Sequence, residues 1–268
     1  MYAARLAILC LVGSVFAAGC SQTPTSPSSV AAPTVVGQAP QSSAPLPAPF
    51  SANPVPRALG ATRYLAFGDS ITWGATSAFD PRFLFAAANG GYPQGLQAAL
   101  NRDHSPQQFT VINEGLPGEM ATKAVDRFRA ALTLHRPHVV LLLEGVNDLN
   151  NGVSITPIGD ALRQMLDAAA PHGIPVVIAT MFQTYAVTDP DGHYRPNGAA
   201  SIPALNSEIK RIAAGRQNVH LVDLEPRMRD RQMVGADGLH LTDAGFTAMA
   251  AAFLEVIEQA FPVRGSFQ

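Results

Sequence analysis

Beyond Arg63 the chain alternates short, almost unbroken apolar runs with longer segments in which apolar residues recur every three or four positions. Short runs rich in Val, Leu and Ile suit strands buried on both faces, and the longer period marks helices with one apolar side. The runs predict strands over 64–67, 109–112, 139–143, 176–179 and 219–222. Between them, Ala121, Val125, Phe128 and Leu132 paint one side of a helix, as do Ile158, Ala161, Leu162, Met165 and Leu166, and then Ile202, Leu205, Ile209 and Ile212. The last stripe is the clearest: Phe246, Met249, Ala250, Phe253, Leu254, Ile257 and Phe261, with Thr242 placed to cap its start and Asp243 to meet the positive end of the helix dipole. Strands that alternate with helices predict an α/β fold, a three-layer α/β/α sandwich around a five-stranded parallel sheet.

Ahead of this pattern the chain reads differently. One early charge, Arg5, precedes an apolar run from Leu6 to Phe16 and then the small residues Ala17, Ala18 and Gly19. Such a run is too short to span a bilayer and has the layout of a secretory signal over 1–19. Small residues followed directly by Cys20 resemble the lipobox of bacterial lipoproteins, although Ala17 stands where that pattern usually carries Leu. The resemblance implies cleavage before Cys20, acylation of its sulfur and a lipid anchor in the bacterial cell envelope, with Ser21 favouring the outer membrane of a Gram-negative cell. The alternative is an ordinary signal cleaved near Ala18, which leaves the protein secreted or periplasmic. From 20 to 60 the sequence is Pro, Ser, Ala and Thr with few large apolar residues, so it cannot bury enough surface to fold and reads as an extended tether to a folded domain over 61–268.

Composition narrows the function. A chain of 268 residues, 47% hydrophobic and 14% charged, suits one compact domain plus extra segments. A net charge of −2 without a sustained Lys/Arg run gives no reason to expect a nucleic-acid partner. Both cysteines, Cys10 and Cys20, precede the folded part. Disulfide, zinc-thiolate and cysteine-nucleophile chemistry are therefore excluded for the domain together.

In open parallel sheets the site lies beyond the carboxyl ends of the strands. There the chain places Gly68-Asp69-Ser70-Ile71-Thr72 after the first strand, Asn113-Glu114-Gly115-Leu116-Pro117-Gly118 after the second and Glu144-Gly145-Val146-Asn147-Asp148 after the third. Asp237-Gly238-Leu239-His240 stands before the last helix. In order and in position relative to the strands, these segments resemble the four blocks of the SGNH or GDSL hydrolases, over about Tyr64 to Phe261. The resemblance implies a flavodoxin-like sheet and a carboxylic-ester hydrolase needing no metal or cofactor. It assigns Ser70 as nucleophile, Asp237 and His240 as the rest of a triad, and Gly118 and Asn147 as oxyanion-hole donors beside the Ser70 backbone amide. Asp69 and Asp148 are expected to support the backbone of their motifs.

Elementary chemistry agrees. A serine hydroxyl attacks well only when a neighbouring base takes its proton, and a neutral imidazole does this near neutral pH. An acid three residues upstream, Asp237, can hold that imidazole in one tautomer. Asn147 can offer a side-chain N–H, and Gly118 a backbone N–H that no Cβ obstructs, to an oxygen that gains negative charge.

Other readings use the same residues. Ser70 could cap the helix after the first strand, and Gly118 and Asn147 could be turn formers. A non-catalytic or anion-binding cell-surface module on the same fold is the alternative function. An α/β-hydrolase would require Gly-x-Ser-x-Gly, which the chain lacks. His104, His135, His138, His172, His193 and His220 show no metal-ligand spacing and read as structural or solvated. Trp73 either lines a pocket or packs. The stretches 75–90, with Phe79, Phe83 and Phe85, and 183–200, with Tyr185 and Tyr194, are expected to wall a site for a small-molecule, lipid or carbohydrate ester.

Overall fold

The structure is a computed structural model and describes residues 58–77, 80 and 82–263. The signal segment, Cys20, all but the last residues of the tether, and Phe79 lie outside the described residues. In chain order the elements are β1 (Arg63–Gly68), α1 (Ser70–Trp73), β2 (Ala75–Thr76), β3 (Phe85–Ala86), α2 (Gly91–Asp103), β4 (Thr110–Gly115), α3 (Ala121–His135), β5 (Val139–Leu143) and α4 (Val146–Asn150). They continue with α5 (Ile155–Ala169), β6 (Val176–Ala179), β7 (Val187–Thr188), β8 (Tyr194–Arg195), α6 (Ile202–Ala213), β9 (Val219–Val222) and α7 (Asp243–Ala260).

Five strands form one parallel sheet in the order β4-β1-β5-β6-β9. The central strands β1, β5 and β6 are buried almost throughout, while the edge strands β4 and β9 are only partly covered. That difference follows from position, because a central strand loses solvent on both faces and both edges. On one face Phe128 of α3 meets Phe67 of β1 edge-on, with ring centroids 5.0 Å apart. Away from it, Tyr92 of α2 stacks on Phe253 of α7 at 5.0 Å. Helices α3, α5 and α6 pack as one group and α2 with α7 as another, which gives the expected three layers.

Three predicted strands keep their bounds, but the second runs over Thr110–Gly115 instead of 109–112. Its polar end, Glu114 and Gly115, breaks the apolar run yet still pairs with Phe67 and Gly68. Helix α2 has no counterpart among the predicted stripes. Its first turns contain Gly91, Pro93 and Gly95, which mask the buried spacing of Tyr92, Leu96 and Leu100. For α7 the expected start is observed: the Thr242 hydroxyl accepts from the Gly245 amide at 3.3 Å.

The chain leaves β1 for β4 on one side and then crosses to β5 on the other. The order reverses between β1 and β5, and a crevice opens at their carboxyl ends. The segments that follow these two strands carry Ser70 and Asn147.

Candidate active site

The turn out of β1 is tight. A Cβ on Gly68 would lie 2.2 Å from Thr72 Oγ1 and 2.4 Å from the Leu143 carbonyl, so no larger residue fits. Asp69, not Ser70, caps α1: its Oδ1 accepts from the Ile71 amide at 2.9 Å. Ser70 is the first helical residue, and its Oγ lies 2.8 Å from His240 Nε2. The capping role that competes with a chemical one is thereby filled by its neighbour.

His240 is aimed by the turn before α7. Its Nδ1 is 2.5 Å from Asp237 Oδ2, while Asp237 Oδ1 accepts from the backbone amides of Leu239 and His240, each at 3.0 Å. Gly238 adopts φ +77°, and a Cβ there would meet the Tyr185 carbonyl at 2.1 Å. Two residues that the sequence does not single out hold the turn from outside. Asn197 donates from Nδ2 to the Asp237 carbonyl at 2.5 Å and to the Tyr185 carbonyl at 2.9 Å, and Ser77 Oγ accepts from the Asp237 amide at 3.1 Å. The Asn197-Gly198 pair marks a turn in the sequence, but nothing local names its distant partner. Burial of Asp237 raises the energy of its charge, yet the His240 hydrogen bond and charge, with Ser77 and the Leu239 amide, outweigh it and keep the carboxyl below its usual range.

Asn147 closes the opposite side. Its Nδ2 donates to the Glu119 carbonyl at 2.8 Å and to Asp69 Oδ2 at 3.2 Å, so one amide ties the segment after β5 to the β1 turn and to the 116–120 loop. Gly118 in that loop is exposed, has φ +81°, and has no atom within 4 Å of where a Cβ would stand. Asp148 is fully buried and acts as the N-terminal cap that α3 lacks: Oδ2 accepts from the Ala121 amide at 2.6 Å, and Oδ1 from the Thr122 amide at 3.1 Å and hydroxyl at 2.6 Å. A carboxylate at a helix start meets unpaired N–H groups and the positive dipole end.

Beneath Ser70 lies a cluster of acids that the sequence does not reveal. Burial is the main cause that lifts the Asp69 carboxyl to about 6, against the Ile71 amide and His240, which lower it. Glu144 is buried, and neither carboxylate oxygen has a hydrogen-bond partner. Burial first, then the charges of Asp69, Glu119 and Asp148, drives its pKa well above the ordinary value, against a smaller opposing effect of Arg127. A carboxyl in these surroundings is held neutral.

A cleft of about 370 Å³ opens beside His240 and Asp237, lined by Arg82, Leu84, Asn150, Tyr194, Arg195 and Asn197 among others. Both expected wall stretches contribute to it, but of their described aromatics only Tyr194 does. Phe83 is exposed, and Phe85 turns to a separate apolar groove with Thr76 and Ala244, because side chains alternate along extended chain and Leu84 takes the cleft side. Tyr185 instead donates its hydroxyl to the Arg229 carbonyl at 3.0 Å under the Arg231 guanidinium. Trp73 is 43% exposed and does not line this cleft. A cleft of similar size beside Leu132, Arg136 and His172 lies at the amino end of β5 and has no nucleophile with a base.

The remaining histidines make structural contacts where partners are observed: His104 with Glu258 at 3.0 Å, His135 with Glu114 at 2.6 Å, the His138 Nδ1 accepting from the Thr62 amide at 3.2 Å, and His220 edge-on to Phe261. His193 joins Asp189 and Asp191 in a group whose ligand atoms lie within 4.8 Å. Asp189 there already accepts from the amides of Asp191 and His193 and from the Arg195 guanidinium, which accounts for the group as a brace of the β7–β8 hairpin.

The arrangement can pass a proton from a hydroxyl to an imidazole whose far nitrogen is held by a carboxylate. Residues 66–248 match the model of the GDSL-like lipase/acylhydrolase family. No protein of curated function matches the chain in sequence. Among solved structures, the aryl esterase of M. smegmatis superposes with a TM-score of 0.65 at 19% identity, covering 75% of this chain and 100% of that one. The lipase/acylhydrolase of Enterococcus faecalis gives 0.61 at 21% identity, over 76% of this chain and 100% of that one. An acetylxylan esterase of Geobacillus stearothermophilus gives 0.59 at 19% identity, over 74% and 95%. At these identities the likeness is one of fold.

Proposed function

The chain belongs to the GDSL-like lipase/acylhydrolase family, and on that footing we propose that it is a serine esterase that cleaves short-chain acyl or O-acetyl esters through an acyl-enzyme on Ser70. The observation that carries the reading is the continuous chain from Ser70 Oγ to His240 Nε2 and from His240 Nδ1 to Asp237 Oδ2. With its Nδ1 proton directed at Asp237, the neutral imidazole presents Nε2 as an acceptor. Ser70 Oγ attacks the ester carbon as its proton passes to Nε2, the carbon–oxygen bond breaks, and the imidazolium returns the proton to the leaving alcohol. Water then repeats the sequence on the acyl-enzyme and frees the acid.

The tetrahedral intermediates carry negative charge on the former carbonyl oxygen. The donors are the Ser70 backbone amide, the Gly118 amide and Asn147 Nδ2, all at the same end of the sheet. Asp69 and Asp148 support them, Asp148 by fixing the start of α3 next to the Gly118 loop. Arg82, Asn150, Tyr194 and Arg195 place hydrogen-bonding groups along a cleft that Leu84, Pro196 and Leu239 also line, and these groups suit an acyl group carried on a sugar-like alcohol. Similarity in fold to acetylxylan and aryl esterases supports small acyl groups. Residues 1–19 are read as an exported leader and 20–60 as a Cys20 lipid anchor with a tether, which would hold the enzyme at the cell envelope.

The test is hydrolysis of p-nitrophenyl acetate, acetylated xylan and lysophospholipid by the wild-type protein and Ser70→Ala. The expected result is turnover of the acetyl esters by wild type alone, with unchanged circular dichroism in the variant. Equal turnover by Ser70→Ala removes the reading, and preference for lysophospholipid moves the substrate to lipids.

A further inference from the structure

We propose that Asp69 is the positioning residue for Asn147, a role that rests on the esterase reading above. Its two carboxylate oxygens do two different jobs across the β1–β5 reversal. Oδ1 accepts from the Ile71 amide at 2.9 Å, which fixes the carboxylate on the turn that carries Ser70. Oδ2 accepts from Asn147 Nδ2 at 3.2 Å, and the Glu119 carbonyl takes the same nitrogen at 2.8 Å. Two acceptors on one side of the amide dictate that its NH₂ end, and not its oxygen, faces the nucleophile's turn. A flipped amide would set oxygen against both. The leg to Asp69 is long for a bond to a carboxylate, so it is the one that can share its proton with an oxyanion.

Only a side chain with two acceptors can serve both Ile71 and Asn147. In Asp69→Asn one acceptor is replaced by a donor: the amide keeps either the Ile71 bond or the Asn147 bond, not both. Protonation has the same effect. Because Oδ1 is fixed by the Ile71 amide, the proton goes to Oδ2 and turns the Asn147 acceptor into a donor. The groups that bear on Asp69 come from every side: His240 before α7, Glu119 before α3, Asp148 in α4, and Glu144 after β5 and Tyr92 of α2 beneath it. Burial first, with Glu119 and Asp148 adding to it and the Ile71 amide and His240 opposing it, puts the Asp69 carboxyl at about 6, within reach of an ordinary pH profile.

The experiment is a double-mutant cycle on p-nitrophenyl acetate hydrolysis with Asp69→Asn, Asn147→Ala and both, together with the pH dependence of wild type and Asn147→Ala. Acting through Asn147, Asp69→Asn lowers kcat about tenfold or more with KM within about twofold, and changes kcat by less than about twofold once Asn147 is gone. Equal losses in both backgrounds overturn the proposal. The pH arm does not need the Asp69 variant to fold. Relative to Asn147→Ala, wild type loses a further factor of about ten or more in kcat/KM as the pH falls through about 6, where Asp69 takes up its proton. A ratio of wild-type to Asn147→Ala kcat/KM that stays constant across this pH range overturns the proposal. Turnover by Ser70→Ala removes the esterase reading itself and the inference with it, an outcome separate from the cycle.

Discussion

Ser70 and His240 are 170 positions apart in the chain, and their side chains meet at 2.8 Å at the carboxyl edge of the sheet. Parallel strands make this contact possible, because every crossover returns the chain to the same edge. The turn that carries His240 is fixed by Asp237 through two backbone amides and the imidazole at once.

Asp237→Asn keeps the shape of that turn but offers a donor where Nδ1–H needs an acceptor, so the imidazole is held in the wrong tautomer. We expect kcat to fall by about 10³–10⁴-fold with little change in KM. The wild-type group also links stability to pH. Its folded pKa lies below its ordinary value, so its contribution is present above the ordinary carboxyl range and lost as the pH falls through the folded value. Melting temperatures in acid should drop more steeply for wild type than for Asp237→Asn, and parallel curves would contradict this.

Glu144 behaves in the opposite sense. Its folded pKa is raised, so the native state holds its proton more tightly than the unfolded chain does. The stability this gives is full below the ordinary carboxyl range and is lost as the pH rises from there through the raised folded value. Glu144→Gln is neutral at every pH and leaves no more polar atoms unpaired than the native side chain. It should melt above wild type at neutral pH, with the gap closing in acid, and a lower melting point at neutral pH would contradict the assignment.

Much of this was legible in the sequence, for identifiable reasons. Strands such as Val139–Leu143 are continuous apolar runs because both faces are covered, and the polar residues directly after β1 and β5 stand out against them. Ser70, Asn147 and the Asp237-x-x-His240 turn could be singled out because each sits in a short contiguous motif, and it is those motifs that carry the resemblance to the GDSL hydrolases. What stayed hidden depends on distance. Ser77 and Asn197 reach Asp237 from excursions far along the chain, and Glu144 looks like an exposed loop acid until β1 and β5 are paired. The choice of Leu84 over Phe83 and Phe85 as a cleft residue turns on one step of register, which hydrophobicity does not encode.

Asp148 also looks like a turn residue in sequence, but it satisfies the start of α3 from another element. Asp148→Ala removes its bonds to Ala121 and Thr122 and should destabilise the fold by about 2 kcal/mol. Urea denaturation would read this as a lower midpoint at constant m, with kcat also reduced because the Gly118 loop precedes that helix. An unchanged midpoint would show that α3 is held some other way.

The central claim is a covalent one, and it can be read directly. Brief reaction of the protein with p-nitrophenyl acetate, acid quenching and peptide mass mapping should find one acetyl group, on Ser70, and none in the Ser70→Ala protein. Acetyl transfer to a different side chain, or acetate release by the Ser70→Ala protein at the wild-type rate, would contradict it.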